Sequence, residues 1–316
     1  MRIVHAVRSG TVAGVERYIA DVAVELDARG HDVVVVAADL PVPLPDTVDQ
    51  VRATTTLEVG RALVRVGRAD VIHAHMTAAE LPALLIGRAP VVCTRHFAAP
   101  RGGGPLMRLL ARRLTAQIAI SQFVAGAVGD PAITIPNGVI SRPDRLEEPE
   151  RVVLVLQRLE KEKRTAMAVE AFVRSGLADD GWRMLVGGRG SDRLPDAPGV
   201  IGLGFVQDPY QLLKTSSVFL ATAEAEPFGL AVVEAMAAGV AVVAAAGGAH
   251  PETLGPEGYL FHDADEAARM LRTLAEDGAL RAREGDRLQQ RQRELFTVSR
   301  HVDALETVYA QAAAKT

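Results

Sequence analysis

Apolar residues alternate along this chain between two patterns. Short, nearly unbroken apolar runs predict buried strands, and apolar positions three and four apart predict helices. Arg2–Val7 is a strand, and residues 15, 18, 19, 22 and 26 give a helix over Val15–Leu26, ended by Gly30. Asp32–Ala37 is a second apolar strand, so the start is a βαβ unit, which implies a parallel sheet covered on both faces. A loop with Pro41, Pro43 and Pro45 follows, then a helix over Leu57–Val66, a strand over Asp70–His75 and a helix over Ala78–Leu85. Pro90–Thr94 is a strand, Pro100–Pro105 a mobile glycine loop, Leu106–Leu114 a basic amphipathic helix and Gln117–Ile120 a strand. Ser121 suits the N-cap of a helix over Gln122–Val128, and a strand from Ile133 ends in the turn Asn137-Gly138.

The polar, proline-bearing stretch 141–150 predicts a linker, after which the alternation restarts. Strands are expected at Arg151–Leu156, Trp182–Val186, Val200–Leu203, Val218–Ala221 and Val240–Ala244. Helices are expected at Thr165–Arg174, Pro209–Lys214, from Leu230 to Ala238, and over 264–296 and 299–314. The fold class expected is α/β, with two doubly wound halves: 1–145, 146–298, and a terminal helix 299–316 crossing back to the first.

The 316 residues are 48% hydrophobic and 23% charged with a net charge of −4, which suits two globular domains and not a nucleic-acid binder. Neither a leader nor an apolar run of membrane-spanning length is evident, so a cytoplasmic protein is expected. The single cysteine, Cys93, lies in a strand and excludes an intrachain disulfide. Of 35 cations only Lys161, Lys163, Lys214 and Lys315 are lysines, so a lysine inside a motif stands out.

The stretch with the most chemistry is Glu224-Ala-Glu226-Pro-Phe228-Gly229-Leu230-Ala-Val-Val-Glu234-Ala-Met-Ala-Ala-Gly239. Two carboxylates flank a turn and a helix start, where the backbone N–H groups and helix dipole suit a polar ligand. Arg158 and Lys163 follow the first strand of the second half, and His96 follows a strand of the first. His73-Ala-His75 could suggest a metal, but no third ligand is evident, so a core or pocket-wall role is expected. Asp263-Ala-Asp265 precedes a helix and is a capping pattern. No metal site is expected.

These residues resemble the GT-B glycosyltransferases, specifically the retaining glycosyltransferase family 4, over nearly the whole chain. The resemblance implies two Rossmann-like domains facing across a cleft and transfer of a hexose-type sugar from a nucleotide-diphosphate sugar, such as a UDP- or GDP-sugar. It implies that Glu234 binds the donor ribose, that Glu226 contacts the transferred sugar, and that Arg158 and Lys163 clamp the diphosphate without a metal. It places the N–H groups of Phe228, Gly229 and Leu230 against hexose or phosphate oxygens, His96 near the reaction centre, and Gly14 at a turn approaching the donor or acceptor. Gly247-Gly248 fits a loop facing the donor, with Glu252 beyond it, and Asn137-Gly138-Val139 marks the hinge. Three positions depart from the family pattern: Ala13 before Gly14, Gln157 before Arg158, where a glycine is usual, and Arg189 within Gly187-Gly-Arg-Gly190. Arg95 is taken as a bystander beside His96. Expected partners are a nucleotide sugar and a small-molecule or lipid-linked acceptor. Leu106–Leu114, with Arg108, Arg112 and Arg113, gives at most peripheral membrane contact. A silent GT-B nucleotide-binding protein, an epimerase and a pseudo-glycosyltransferase are the alternatives.

Overall fold

The computed structural model describes residues 1–8, 14–40, 42–86, 88–100, 102, 104–129, 131–141 and 149–315. Pro41, Ala13, most of the 141–150 linker, parts of the 100–105 loop and the side chains of Leu106 and Arg108 lie outside the described residues. The chain divides into two compact units, Met1–Gly138 with Thr297–Thr316, and Val139–Phe296.

The first unit contains strands β1 (Arg2–Val7), β2 (Asp32–Ala37), β3 (Asp49–Arg52), β4 (Val71–His75), β5 (Val91–Arg95), β6 (Leu114–Ala119) and β7 (Ile133–Thr134). They form one parallel sheet in the order β3-β2-β1-β4-β5-β6-β7. Its helices are α1 (Gly14–Ala28), α2 (Thr56–Val66), α3 (Thr77–Ile86), α4 (Gly104–Leu110) and α5 (Gln122–Ala127). The second unit contains β8 (Glu150–Leu156), β9 (Arg183–Gly187), β10 (Val200–Gly204), β11 (Ser216–Ala221), β12 (Ala241–Ala245) and β13 (Tyr259–Phe261), parallel in the order β10-β9-β8-β11-β12-β13. Its helices are α6 (Thr165–Ser175), α7 (Pro209–Thr215), α8 (Leu230–Ala237), α9 (His250–Leu254), α10 (Ala264–Glu276) and α11 (Gly278–Leu295). The last helix, α12 (Val298–Ala313), belongs to the first unit.

Successive strand residues point to opposite faces, so β1 feeds two cores. Ile3 and Val7 pack with Tyr18, Ile19 and Val22 of α1 and with Val302, Leu305 and Tyr309 of α12. Val4 and Ala6 pack on the other face with Val59, Leu63, Leu84, Met107 and Leu110. In the second unit, Val153, Val155, Val218, Leu220 and Val243 pack with Phe172 of α6 and with Leu271 and Leu274 of α10. Burial on both faces is what made these strands continuous apolar runs.

The structure changes several expected elements. The basic helix stops at Leu110, a 3-10 turn spans Ala111–Arg113, and Leu114 opens β6 by pairing with Val91. The helical stretch 264–296 breaks at Asp277, whose carboxylate accepts from the Leu280 N–H at 2.8 Å and caps α11. β3 is an edge strand of mostly exposed polar residues, so no apolar pattern announced it. Asp263 caps α10, accepting from Glu266 N–H at 2.8 Å. No helix among the described residues is long and apolar enough to cross a membrane.

Candidate active site

In the second unit the strand order reverses between β8 and β11, and the loops leaving their carboxyl ends carry the motif residues. Lys163 Nζ, on the loop after β8, donates to Glu226 Oε2, on the loop after β11, at 2.5 Å. Both side chains are largely enclosed, with 17% and 18% of their surface exposed, so water screens this pair only in part. The Lys163 carbonyl is held twice, by the Gln157 amide at 3.1 Å and by the Thr222 hydroxyl at 2.7 Å. Gln157 Nε2 also reaches Thr165 Oγ1 at 3.0 Å. The residue that replaces the usual glycine is thus a brace for the lysine loop. From the other side, Gly188 and Gly190 press on this loop, where a Cβ would meet the carbonyl oxygens of Gln157 and Leu159.

Gly247-Gly248 supports Glu226 in the same way. Gly248 has φ +58°, and a Cβ there would lie 2.5 Å from both the backbone N and O of Glu226. The Ala249 N–H then donates to the Glu226 carbonyl at 2.9 Å. Gly229 and Leu230 start α8, and no side chain caps that helix. Phe228 turns its ring inward against Phe296, so only its backbone faces the turn. Glu234 stands half-buried one turn into α8. Arg158 is not drawn into the Lys163–Glu226 pair: its guanidinium meets Glu162 at 2.8 Å on the surface.

His250, at the start of α9, was missed from the sequence; its only signal was its place after Gly247-Gly248. It is buried, and its Nδ1–H donates to the Ala245 carbonyl at 3.0 Å. Burial lowers its basicity, Glu226 opposes that shift and Lys163 adds to it, so the ring stands within the field of the pair.

In the first unit the reversal falls between β1 and β4, and histidines gather there. His5 is the register partner of His73, and His75 that of Thr94, so the strands bring these side chains to one face. His96, just past β5, contacts His75 through Nε2 and Nδ1 at 3.1 Å, and His75 Nε2 contacts His5 Nδ1 at 3.0 Å. From α12, His301 accepts from the Tyr18 hydroxyl at 2.8 Å and donates to the Pro136 carbonyl at 2.6 Å. His73 lies between the Tyr309 hydroxyl at 2.6 Å and the Thr94 hydroxyl at 2.7 Å. Burial pushes His5 and His96 down to about 3 and His301 to about 4, and holds His73 and His75 well below the usual imidazole range.

His5 supplies the third ligand that the sequence did not show. One nitrogen from each of His5, His73 and His75 lies within 4.8 Å of the others. Both ring nitrogens of His73 and of His75 are already engaged, however, so holding a cation would break hydrogen bonds in a fully buried network. Arg95 is also no bystander. It is buried, with Nη2 at 2.9 Å from Glu80 of α3 and Nε donating to Gln117 of β6 at 2.8 Å. Gly14 opens α1 and is exposed; the turn before it lies outside the described residues.

Residues 12–141 match the description Glycosyltransferase Family 4, and residues 150–277 match Glycosyl transferases group 1. The chain belongs to the family 4 (group 1) glycosyltransferases. It is 29% identical to the phosphatidyl-myo-inositol mannosyltransferase of Mycolicibacterium smegmatis, over 85% of this chain and 83% of that protein. It is also 29% identical to the N-acetyl-alpha-D-glucosaminyl L-malate synthase of Bacillus anthracis, over 52% of this chain and 46% of that protein. Among solved structures, HepE of Anabaena in complex with UDP and glucose is similar with a TM-score of 0.78 at 21% identity, over 98% of this chain and 99% of that one. Sucrose-phosphate synthase of Thermosynechococcus elongatus matches over 100% of both chains with a TM-score of 0.82 at 18% identity. This family member therefore has the GT-B fold, and its two parallel sheets of seven and six strands are the two halves of that fold.

Proposed function

We propose that this glycosyltransferase moves a hexose-type group from a nucleoside-diphosphate sugar to an acceptor hydroxyl with retention of anomeric configuration. The Lys163–Glu226 pair beside the N-terminus of α8 carries this reading. It sets one cation and one hydrogen-bond-accepting carboxylate at the switch point of a parallel sheet, where a phosphate and a sugar can each take one partner. On donor binding, a diphosphate oxygen takes over Lys163, and Arg158 exchanges Glu162 for the same group. Glu226 is released to accept from the sugar hydroxyls, and Glu234 accepts from the vicinal ribose hydroxyls.

The bond between the anomeric carbon and the diphosphate oxygen breaks, and its electron pair leaves with the diphosphate. Lys163, Arg158 and the uncapped end of α8 stabilise that charge as it develops. The acceptor oxygen bonds to the anomeric carbon on the face the leaving group departs, and its proton passes to the diphosphate. This scheme uses no metal ion and no protein nucleophile. Relatives named for mannosyl transfer to phosphatidyl-myo-inositol favour a cyclitol or lipid-linked hydroxyl as acceptor.

Screening UDP-, GDP-, TDP- and ADP-sugars for binding and slow hydrolysis tests the reading. One donor is expected to bind and release its nucleotide. Binding without turnover, even with acceptors, would instead indicate a silent nucleotide-binding protein, and isomerised donor would indicate an epimerase.

A further inference from the structure

His96, His75 and His5 form a chain of three neutral imidazoles joined by two hydrogen bonds, 3.1 Å and 3.0 Å long. Each neutral ring carries one N–H, so only two proton arrangements satisfy both bonds. In one, His5 Nδ1–H donates to His75 Nε2, His75 Nδ1–H donates to His96 Nε2, and His96 carries its proton on Nδ1. In the other, every proton shifts the opposite way, and His96 carries its proton on Nε2.

The far end of the chain decides between them. His5 Nε2 is enclosed and has no hydrogen-bond partner among the described residues. In the first arrangement this atom is a bare acceptor, and in the second it is an N–H donor. Buried N–H groups without an acceptor are the rarer and costlier of the two defects. We propose that His75 and His5 are positioning residues that lock His96 in its Nδ1–H tautomer, so that it meets substrate as a neutral hydrogen-bond donor. His96 keeps a small exposed surface, and its Nδ1 is not among the enclosed unpaired atoms, so this nitrogen can reach a ligand.

The chain is a lock and not a proton wire. A proton taken up at His96 and passed inward would end as a charge on His5. That ring is wholly enclosed, lies nearly parallel to the His75 ring with centroids 5.3 Å apart, and has its centroid 5.1 Å from that of His73. The two rings in contact with it, His73 and His75, are themselves imidazoles held neutral by burial and give it no anion to share the charge with. His96 is therefore excluded as general base, consistent with an acceptor proton that leaves on the diphosphate. The use of the Nδ1–H on a sugar or phosphate oxygen rests on the transferase reading, whereas the tautomer does not.

Long-range nitrogen–proton correlation spectra of the full chain, labelled with 15N-histidine and free of ligand, read the protonated nitrogen of each ring. Between pH 6 and 8, His96 is expected to show a protonated Nδ1 and a bare Nε2. The reverse pattern would overturn the proposal without any variant. In His75→Leu the His96 tautomer is expected to move toward Nε2–H, with the KM for the nucleotide sugar raised about tenfold, as for a lost hydrogen bond. His75→Asn keeps an amide donor near the original Nδ1 and is expected to restore both readouts. An unchanged His96 spectrum in His75→Leu, or an unchanged KM with turnover intact, would sink the positioning role. Absence of any nucleotide-sugar turnover in the wild type would count against the transferase reading and leave the tautomer standing.

Discussion

The side-chain amide of Gln157 donates to the backbone carbonyl of Lys163 at 3.1 Å, so the residue before the first motif cation sets the position of the second. Gln157→Ala removes this bond and the one to Thr165 and leaves the Thr222 bond on the carbonyl. A stability loss of about 1–2 kcal/mol is expected. The donor KM should rise more than kcat falls, because the lysine is misplaced and not removed. Steady-state kinetics and urea unfolding on the same preparation check both parts.

Lys163 and Glu234 are expected to separate under mutation. In the proposed mechanism Lys163 is the enclosed cation that meets the leaving diphosphate, so Lys163→Met should lower kcat roughly 100- to 1,000-fold. Glu234→Ala should leave the fold intact and weaken binding of both the free nucleotide and the nucleotide sugar. Equal affinity of wild type and Glu234→Ala for the nucleotide, measured by calorimetry, would remove the ribose assignment.

Two glycines with positive φ should respond differently to alanine. Gly30 has φ +83° with no atom within 4 Å of an added Cβ, so Gly30→Ala carries backbone strain alone, about 1–2 kcal/mol, at unchanged activity. Gly248→Ala adds a clash 2.5 Å from the Glu226 backbone. It should cost more stability and should displace Glu226, raising the donor KM. Comparing thermal unfolding and KM across the two variants separates strain from displacement.

Acid should unfold this protein steeply. His5, His73, His75, His96 and His301 are buried and neutral, with folded-state values well below the unfolded value of 6.5. Below pH 6.5 the unfolded chain binds protons that the folded chain refuses, so the stability present above 6.5 is lost as pH falls toward about 3 to 4. Each group contributes at most about 1.4 kcal/mol per pH unit, so one pH unit in the acid limb costs the five together up to about 7 kcal/mol, comparable with the whole stability of a typical domain. Denaturant titrations at stepped pH should show this slope below pH 6 and a shallower one in His301→Gln.

The strands were legible because their chemistry is one-dimensional. β1, β2, β4 and β8 are enclosed on both faces, and that enclosure prints itself as apolar runs. β3, with Asp49, Gln50 and Arg52 at a sheet edge, carries no such print. Lys163 and Glu226 are 63 positions apart, and only the motif resemblance linked them before the structure did. Gln157 reads in the sequence only as a departure from the family pattern, because its partners, the Lys163 carbonyl and the Thr165 hydroxyl, are brought to it by the folded loop. The histidine cluster was illegible for another reason. His5 meets His73 only when β1 lies beside β4, and His301 reaches the face only through α12, and neither adjacency follows from local pattern.

The first unit closes with the final stretch of the chain. Tyr309 and His301 complete partnerships begun by His73 and Tyr18, yet the whole segment from Val139 to Phe296 is made between them. At about 5–20 residues per second, the amino-terminal half waits on the order of ten seconds or more on the ribosome with its histidine face uncovered. Birth order therefore runs against architecture: the unit that starts first is completed only after the whole of the second has been made.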